Sequence, residues 1–492
     1  MVKESNRRRF LATVGAGSLA FAAGCADQLP GGNSDGNNGN GDDGLLNGND
    51  DEQDAMPPAI DHGEVVSDFD ADLDEWFELD GEFTGDDEVM LTGSQTVRIE
   101  NSGASAGIGR SFPDGLDMED HHLSMAVRVD NPRPARVTVR IHAPGQADQV
   151  WGTRTVLSSY EGWLRMDVGY TGERGEPLFD NVQELHITLD DPNASDEGAE
   201  EEGNAEGEPG ELDEEGAADE NSNDGELEDE EDDNDEQLTL TFTPLQTDDE
   251  EGDQNGADIR FWVDDLRITP AVNQGYVMLT FDDAVESQYE NAFPLFEERD
   301  MQAVAAVVPN SLNRENRLMI DQIREMRDAG WDISSHPEGE AFTELEDTDA
   351  IRQDIEAAHD YLDNRGFPNG VRHMFVPYHN TNEEVVEITR EYHELSSYFG
   401  GSLNAVPFTD LMHLSRVNMF DLDAFTSMID IAAEYNQLAI GLAHGVVPED
   451  ELDDDPLADM TIEQLERLLD YVEESDVQLV TASELVDNQD SL

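Results

Sequence analysis

A change of hydrophobic pattern near residue 270 constrains the fold of this chain more than any other feature of its sequence. From about Gly275 onward, short apolar segments alternate with longer segments in which apolar residues recur every three or four positions. The short segments read YVMLTF, AVAAVV, WDISS, HMFVPY, LAIGLA and VQLVTA. Strands that alternate with helices predict a parallel β/α fold, either open or closed into a barrel.

Two of the helical segments carry their own end signals. The segment RLMIDQIREMRDAG ends in Gly330, and glycine suits the left-handed conformation that closes many helices. The segment TIEQLERLLDYVEES begins with Thr461 and has Gln464 three residues later, which is the pattern of a capping box. We therefore expect both segments to be helices of the β/α region.

The preceding part of the chain alternates apolar and polar residues over short segments that are separated by Gly, Pro, Asp and Asn. This pattern predicts an all-β sandwich. The segments GWLRMDV and RFWVDDLRI resemble jelly-roll modules that accompany many glycan-active enzymes. Trp151, Tyr160 and Trp163 are candidates for an aromatic platform that binds sugars, with burial in the core as the alternative. Asp264 and Asp265 are candidates for a structural calcium site.

The chain carries 116 Asp and Glu residues against 26 Lys and Arg residues, for a formal net charge of −90. Lys3 is the only lysine. Charge repulsion of this size is screened only at high ionic strength, so the composition indicates adaptation to a salt-saturated medium, as in halophilic archaea. It also argues against nucleic acid and anionic membrane surfaces as partners.

The N-terminus has the layout of an export signal. Arg7, Arg8, Phe10 and Leu11 match the twin-arginine pattern, and a short apolar run leads to AAGC, which resembles a lipoprotein processing box. Cys25, the only cysteine, would then carry the lipid and anchor the protein at the extracellular face of the cell membrane. The predicted order is a signal at 1–25, a disordered tether at 26–59, a sandwich at 60–270 with a disordered acidic insertion at 191–237, and the β/α domain at 271–492.

Polar residues follow several of the predicted parallel strands. Asp282 and Asp283 end the first strand, His336 ends the third, and His444 follows LAIGLA. The carboxyl ends of parallel strands gather on one face and carry the active sites of β/α folds. Carboxylates and imidazoles in that position can hold a zinc-like ion, and a second carboxylate and a histidine can transfer protons, so the set favours metal-assisted hydrolysis.

The motifs TFDD, GWDISSH, FVPYHNTNEEV and LAHG, in this order, resemble those of the polysaccharide deacetylases of carbohydrate esterase family four. The resemblance covers about Tyr276 to Leu485. It implies a distorted β/α barrel with fewer than eight strands, and removal of N- or O-acetyl groups from amino sugars and other glycans.

The resemblance also implies roles for individual residues. Asp282 matches the general base, Asp283 and His336 match the first two ligands of a divalent metal ion, expected to be zinc, and His444 matches the general acid. The family's second motif has another histidine four residues after the first, where this chain has Glu340. Glutamate can ligate a metal through oxygen, or Glu340 is a surface acid.

The third motif departs from the commonest form of the family. The arginine that orients the base is absent, because Phe375 and Val376 precede Pro377 and Tyr378. Tyr378 matches the residue whose backbone amide stabilises the oxyanion. His379 replaces a glycine and either fills part of the groove, supplies a nitrogen ligand, or lies at the surface. Arg416, near a later strand end, is a candidate to replace the missing arginine.

Two functions from different classes are consistent with these residues. The first is metal-dependent deacetylation of an acetylated glycan; the second is glycan binding by a catalytically weakened barrel, which the departures at Glu340 and at the third motif favour. A glycosidase is disfavoured because Asp282 and Asp283 are adjacent, whereas flanking a glycosidic bond requires carboxyl groups at least ~5 Å apart. The sequence does not indicate an oligomeric state.

Overall fold

The computed structural model of the protein describes residues 63–130, 135–191, 259–345, 347–452 and 459–488. The predicted signal with Cys25, the tether and nearly all of the acidic insertion lie outside these residues. None of the described helices is both long and apolar enough to cross a bilayer.

The N-terminal part consists of antiparallel strands in two sheets. The strands are β1 (Glu64–Ser67), β2 (Trp76–Asp80), β3 (Glu82–Asp86), β4 (Thr96–Asn101), β5 (Ser105–Leu116), β6 (His121–Val129), β7 (Ala135–Gly145), β8 (Asp148–Val156), β9 (Trp163–Asp167), β10 (Gly172–Arg174), β11 (Val182–Asp190) and β12 (Ile259–Pro270). The first sheet has the order β3-β4-β12-β6-β9, with β1 paired to β12, and the second sheet has the order β10-β8-β7-β11-β5-β2.

Side-chain alternation produces the core between these two sheets. In β7, Val137, Val139 and Ile141 are fully buried, and Leu185 and Ile187 of the neighbouring β11 share the same hydrophobic core with apolar residues of the first sheet. The polar residues between them therefore lie on the outer face of the second sheet. The predicted all-β sandwich is confirmed.

The expected aromatic platform is not formed as a set of three. Tyr160 and Trp163 are buried, at 8% and 3% exposure. Trp151 lies on the outer face of the second sheet, where the guanidinium of Arg140 sits 5.1 Å from the centre of its ring. The burial alternative therefore holds for two of the three side chains.

The C-terminal part is a closed parallel barrel of seven strands, which confirms the predicted fold class. The strands follow the order β13 (Gly275–Phe281), β14 (Val304–Val307), β15 (Asp332–Ser335), β16 (His373–Phe375), β17 (Leu395–Phe399), β18 (Leu414–Asn418) and β19 (Leu438–Ala443), and β19 and β14 both pair with β13. A later strand, β22 (Val477–Leu479), pairs with the beginning of β13, and β20 (Val446–Val447) pairs with β21 (Met460–Thr461).

Helices connect the barrel strands. They are α1 (Phe293–Glu297), α2 (Ile320–Asp328), α3 (Thr348–Asp363), α4 (Glu383–Tyr392), α5 (Leu422–Tyr435), α6 (Ile462–Glu474) and α7 (Ala482–Asn488). The capping box expected at Thr461 and Gln464 is present at the start of α6, and Gly330 has the expected positive φ after α2.

The sandwich and the barrel belong to one compact unit, Gln53–Leu492. Two barrel side chains, Val386 and Met412, are part of the hydrophobic core of the sandwich. The backbones also approach closely, because a Cβ atom added at Gly169 would lie 1.6 Å from the carbonyl oxygen of Leu403. Only glycine fits at this contact between the two parts.

Candidate active site

The end of strand β13 explains how two adjacent aspartates reach one cleft. All residues of the strand are buried, and Phe281 packs against Phe296 and Trp331. Asp283 and Ala284 then have φ values of 72° and 53°, so the strand stops and the chain turns sharply. Non-glycine residues in this conformation are strained and concentrate at functional sites.

Asp282 forms a bidentate ion pair with Arg416. The two guanidinium nitrogens donate to the two carboxylate oxygens at 2.8 and 2.9 Å, and the side chains are 0% and 2% exposed for Arg416 and Asp282. Burial alone would raise the pKa of Asp282, but the charge of Arg416, together with His336 and His444, holds that pKa well below its usual range. Arg416 thus occupies the position relative to Asp282 that the missing arginine of the third motif was expected to fill.

Asp283 and His336 form the second half of the site. The Nε2 atom of His336 lies 3.5 Å from a carboxylate oxygen of Asp283, and its Nδ1 atom donates to the carbonyl oxygen of Phe375 at 2.6 Å. The interaction with His336 lowers the pKa of Asp283, although burial opposes this. Burial lowers the pKa of His336, but Asp283 and Asp282 together raise it above its usual value.

This pair fits a divalent cation. Metal-ligating histidines commonly donate the proton of their other ring nitrogen to a backbone carbonyl, which fixes the ring and directs the free nitrogen at the metal. The Phe375 carbonyl does this for His336, and a carboxylate oxygen lies beside the free nitrogen. Asp283 and His336 are therefore suited to hold the ion that the fold implies.

Glu340 does not join this pair. Its chain turns at Gly339, where φ is 89°, and Glu340 begins a short 3-10 helix with its side chain exposed. Among the described residues, the ligand atoms of Asp283, His336 and Glu340 do not all lie within 4.8 Å of one another. The expected ligand set is therefore not assembled in this structure, because the glycine directs position 340 towards solvent.

The loop after β16 lines the mouth of the barrel. Tyr378 and His379 have φ values of 52° and 56°, and the Tyr378 ring is 61% exposed. The backbone N–H of Tyr378 donates no hydrogen bond to an acceptor among the described residues. An amide held at positive φ beside the cleft is suited to stabilise an oxyanion.

His379 lies inside the site instead of at the outer surface. It is half-buried, and burial together with the nearby charge of Arg416 lowers its pKa to about 3. Its imidazole is therefore neutral near neutral pH. The structure thus does not support the surface alternative for this residue.

Sequence reasoning missed three residues that hold the site. Gln288 donates from its side-chain amide to the carbonyl oxygens of Asp282 and His444, at 2.6 and 2.9 Å, and so ties two motifs together. Arg317 donates to the carbonyl oxygen of Asp283 at 2.7 Å. Ser159 of the sandwich donates to the carbonyl oxygen of Thr381 at 2.7 Å, and its hydroxyl oxygen lies 3.2 Å from Oδ1 of Asn380.

Only one of these three had a usable signal in the sequence. Cations are rare in this acidic chain, so any arginine is a candidate partner for the acidic residues of the site, and Arg317 is such a case. Gln288 and Ser159 are ordinary polar residues whose contacts depend on tertiary structure.

The fold is that of a β/α barrel of the hydrolase type, with Asp282, the Asp283–His336 pair and His444 at the carboxyl ends of its strands. Residues 269–393 match the model of the family described as polysaccharide deacetylase. The match assigns this part of the barrel region to that family.

Several known proteins are similar to parts of this chain. A poly-β-1,6-N-acetyl-D-glucosamine N-deacetylase of Staphylococcus epidermidis is 24% identical over 167 residues, which are 31% of this chain and 57% of that protein. The chain thus spans little more than half the length of that relative. Among solved structures, the deacetylase PplD of Streptococcus pyogenes is 22% identical, with a TM-score of 0.26, over 28% of this chain and 62% of that one. A Xyl-CE4 domain of a xylanase from the hindgut metagenome of Trinervitermes trinervoides is 14% identical, with a TM-score of 0.31, over 44% of this chain and 92% of that domain.

Proposed function

We propose that the protein is a metal-dependent hydrolase that removes acetyl groups from an acetylated polysaccharide. The observation that carries this proposal is the buried Asp282–Arg416 pair beside the Asp283–His336 pair at the mouth of the barrel. Family membership and the substrate named for the staphylococcal relative, a polymer of N-acetylglucosamine, support the same chemistry.

In this mechanism Asp283 and His336 hold a divalent ion, which we propose to be zinc. When bound, such an ion polarises an acyl oxygen and lowers the pKa of water. Asp282 is ionised near neutral pH, because Arg416 holds its pKa well below the usual range. It therefore orients the attacking water and accepts its proton as the water oxygen bonds to the acetyl carbon.

The remaining residues complete the transfer. The Tyr378 amide donates a hydrogen bond to the carbonyl oxygen as negative charge develops on it. His444 gives a proton to the departing amine nitrogen or hydroxyl oxygen as its bond to the acetyl carbon breaks. The products are acetate and the deacetylated sugar. Arg416 does not touch the substrate in this scheme, and it acts by positioning Asp282.

The test is acetate release from a panel of acetylated oligosaccharides in molar salt, with and without a chelator. We expect activity that the chelator abolishes, and loss of both metal binding and acetate release in Asp283→Ala and His336→Ala. An active variant that binds no metal would contradict the mechanism.

A second candidate function is glycan binding without hydrolysis. The observation that favours it is the exposed Glu340, which leaves only Asp283 and His336 assembled as ligands. If the second function is correct, the purified protein binds acetylated oligosaccharides but releases no acetate from them. It then also contains no stoichiometric divalent ion.

We also propose that the protein is exported and lipid-anchored at Cys25, on the extracellular face of the cell membrane. The support is the Arg7–Arg8 pattern and the AAGC box of the sequence. A Cys25→Ser variant should move from the membrane fraction to the medium, whereas replacing both arginines by lysine should retain the precursor in the cell. An unchanged distribution of Cys25→Ser would exclude the anchor.

A further inference from the structure

A cluster of two histidines and a glutamate lies on the outer face of the sandwich. His142 is on β7, and Glu184 and His186 are on the neighbouring β11, where His142 pairs directly with Glu184 across the strands. Ligand atoms of the three residues all lie within 4.8 Å of one another. Within the described ranges this is the one group of its kind, and it contains none of the residues of the barrel mouth.

The spacing of the two rings matches adjacent ligands of a metal ion. Nε2 of His142 and Nδ1 of His186 are 3.4 Å apart. A hydrogen bond from N–H is normally ~2.9–3.0 Å long, so this contact is long for one. Two nitrogens that sit on neighbouring corners of a zinc tetrahedron, each ~2.0–2.1 Å from the ion, are ~3.3–3.4 Å apart.

Glu184 fixes which nitrogen of His186 is free. The other ring nitrogen of His186, Nε2, is hydrogen-bonded to the Glu184 carboxylate and must carry the proton, because an ionised carboxylate only accepts. Nδ1 of His186 therefore presents its lone pair to His142. A carboxylate behind a histidine in this way is the usual support of a ligating imidazole.

The rings are held in place before any ion binds. His142 is 5% exposed, and its buried Nδ1 atom has no hydrogen-bond partner among the described residues. The edge of Phe77 contacts His186 with ring centres 6.2 Å apart. A Cβ atom at Gly109 would lie 2.5 Å from Phe77 and 3.1 Å from the His186 ring, so the glycine leaves space for both.

One cation lies nearby, but it is directed elsewhere. Arg140 pairs with His186 across the strands, yet its guanidinium stacks on Trp151 and donates to the Gln149 side chain at 2.9 Å. The negative charge of the Glu184 carboxylate offsets part of the effect of the Arg140 charge on the histidines. The cluster therefore offers two imidazole nitrogens, with a carboxylate behind one of them.

We propose that His142 and His186, positioned by Glu184, form a second metal site on the sandwich, for a divalent transition metal ion of the zinc type. Imidazole nitrogens favour zinc, copper or nickel over magnesium and calcium, which prefer oxygen. Water or an external ligand would complete the coordination of the ion. The site is independent of the proposed deacetylase chemistry.

The experiment titrates zinc into full-length protein by calorimetry, in molar salt with excess magnesium to occupy the acidic surface. The Asp283→Ala background removes the barrel site. We expect one zinc ion per chain in this background, and no measurable zinc binding once His142→Gln and His186→Gln are added. Glu184→Gln should weaken binding by about tenfold, as is typical of groups that support a ligand.

The matched control is His121→Gln, which removes a partly exposed histidine of the other sheet and should leave zinc binding unchanged. Far-UV circular dichroism and thermal unfolding check that the variants are folded, and His186→Gln alone serves if the double variant is not. Cobalt in place of zinc should give the visible absorption of a tetrahedral site. Equal zinc binding with and without His142 and His186 would overturn the proposal, whatever the outcome of the acetate assay.

Discussion

The chain contains two segments in which a buried strand runs into a pair of aspartates, FWVDDLRI in the sandwich and LTFDDAVE in the barrel. In both pairs the second aspartate has a positive φ, 46° at Asp265 and 72° at Asp283. In both, a buried arginine contacts a carboxylate: Arg165 contacts Asp265 at 2.9 Å, and Arg416 contacts Asp282 at 2.8 Å. The local chemistry is therefore nearly the same.

The chain continues differently after each pair. Strand β12 continues after a bulge, so Asp264 accepts from the amides of Leu91 and Thr92, and Asp265 is enclosed by Arg165 and a second arginine, Arg267. These carboxylates are satisfied by protein donors, which argues against the calcium site considered for them.

Strand β13 instead stops at a sheet end. Asp282 has a single arginine partner and otherwise faces His336 and His444 at the open mouth of the barrel. The comparison shows that the position of an acid pair relative to the end of a parallel strand, and not the pair itself, indicates a reactive site.

The largest expected difference concerns activity. Asp282→Asn should lower acetate release by about 10²–10⁴-fold, because it removes the proton acceptor. Asp265→Asn should leave the activity per folded molecule unchanged, while it destabilises the sandwich. Acetate release normalised to folded protein measures both. Equal losses of acetate release in the two variants would show that the two aspartate pairs do not differ in function.

A second difference concerns the arginines. Arg416→Met should lower the free energy of unfolding by about 3–5 kcal/mol, because it leaves Asp282 buried without its partner. Arg165→Met should cost less, because Arg267 still pairs with Asp265 at 2.7 Å. Only Arg416→Met should also move the acidic limb of the pH–activity profile to higher pH, because His336 and His444 alone then oppose the rise in the pKa of Asp282 that burial causes. Denaturant unfolding and pH profiles in molar salt distinguish the two effects. A profile unmoved in Arg416→Met would contradict the positioning role.

Buried histidines should act alike in both regions. Burial lowers the pKa of His373 in the barrel to about 3 and that of His122 in the sandwich to about 4. In the unfolded chain a histidine is protonated near pH 6.5, whereas these two histidines stay neutral in the folded protein. Each histidine therefore destabilises the fold as the pH falls below 6.5.

Between pH 7 and pH 5, the free energy of unfolding of the protein should therefore fall by about 2 kcal/mol more than that of His373→Gln. The same difference is expected relative to His122→Gln. Denaturant unfolding at the two pH values measures this loss. A constant stability difference between protein and variant across the range would show that the histidine is protonated in the folded state.

The smallest effect is expected at Glu340. Its side chain is exposed, so Glu340→Gln should change metal affinity and acetate release by less than about threefold, well under the ~10–100-fold that loss of a metal-supporting group causes. The matched variant is Asp283→Asn, which should remove metal binding. A loss as large in Glu340→Gln would show that the loop after Gly339 closes when the ion binds.

The sequence was sufficient for the fold class, because strand ends and helix caps are local signals. The acid–base roles of Asp282 and His444 stay predictions. Sequence reasoning missed β17 and indicated β18 only as a strand end near Arg416, because serines break the apolar pattern of LSSYF and LSRVN. Ser396, Ser397 and Ser415 are nevertheless buried, at 3%, 0% and 0% exposure.

The partner of Asp282 could be predicted only as a candidate, because Arg416 is 134 positions away in the chain. The histidine cluster of the sandwich gave no signal at all. Its residues are brought together by strand pairing over 44 positions.

The close approach of Gly169 to the Leu403 carbonyl oxygen has an evolutionary consequence. A sandwich that is joined to a barrel by a simple linker can be exchanged by recombination. This sandwich cannot, because it contacts the barrel where only glycine fits and its core includes Val386 and Met412 of the barrel. Ser159 adds a further dependence, since it supports the loop that carries Tyr378. The two halves of this protein are therefore expected to have diverged as a single inherited unit.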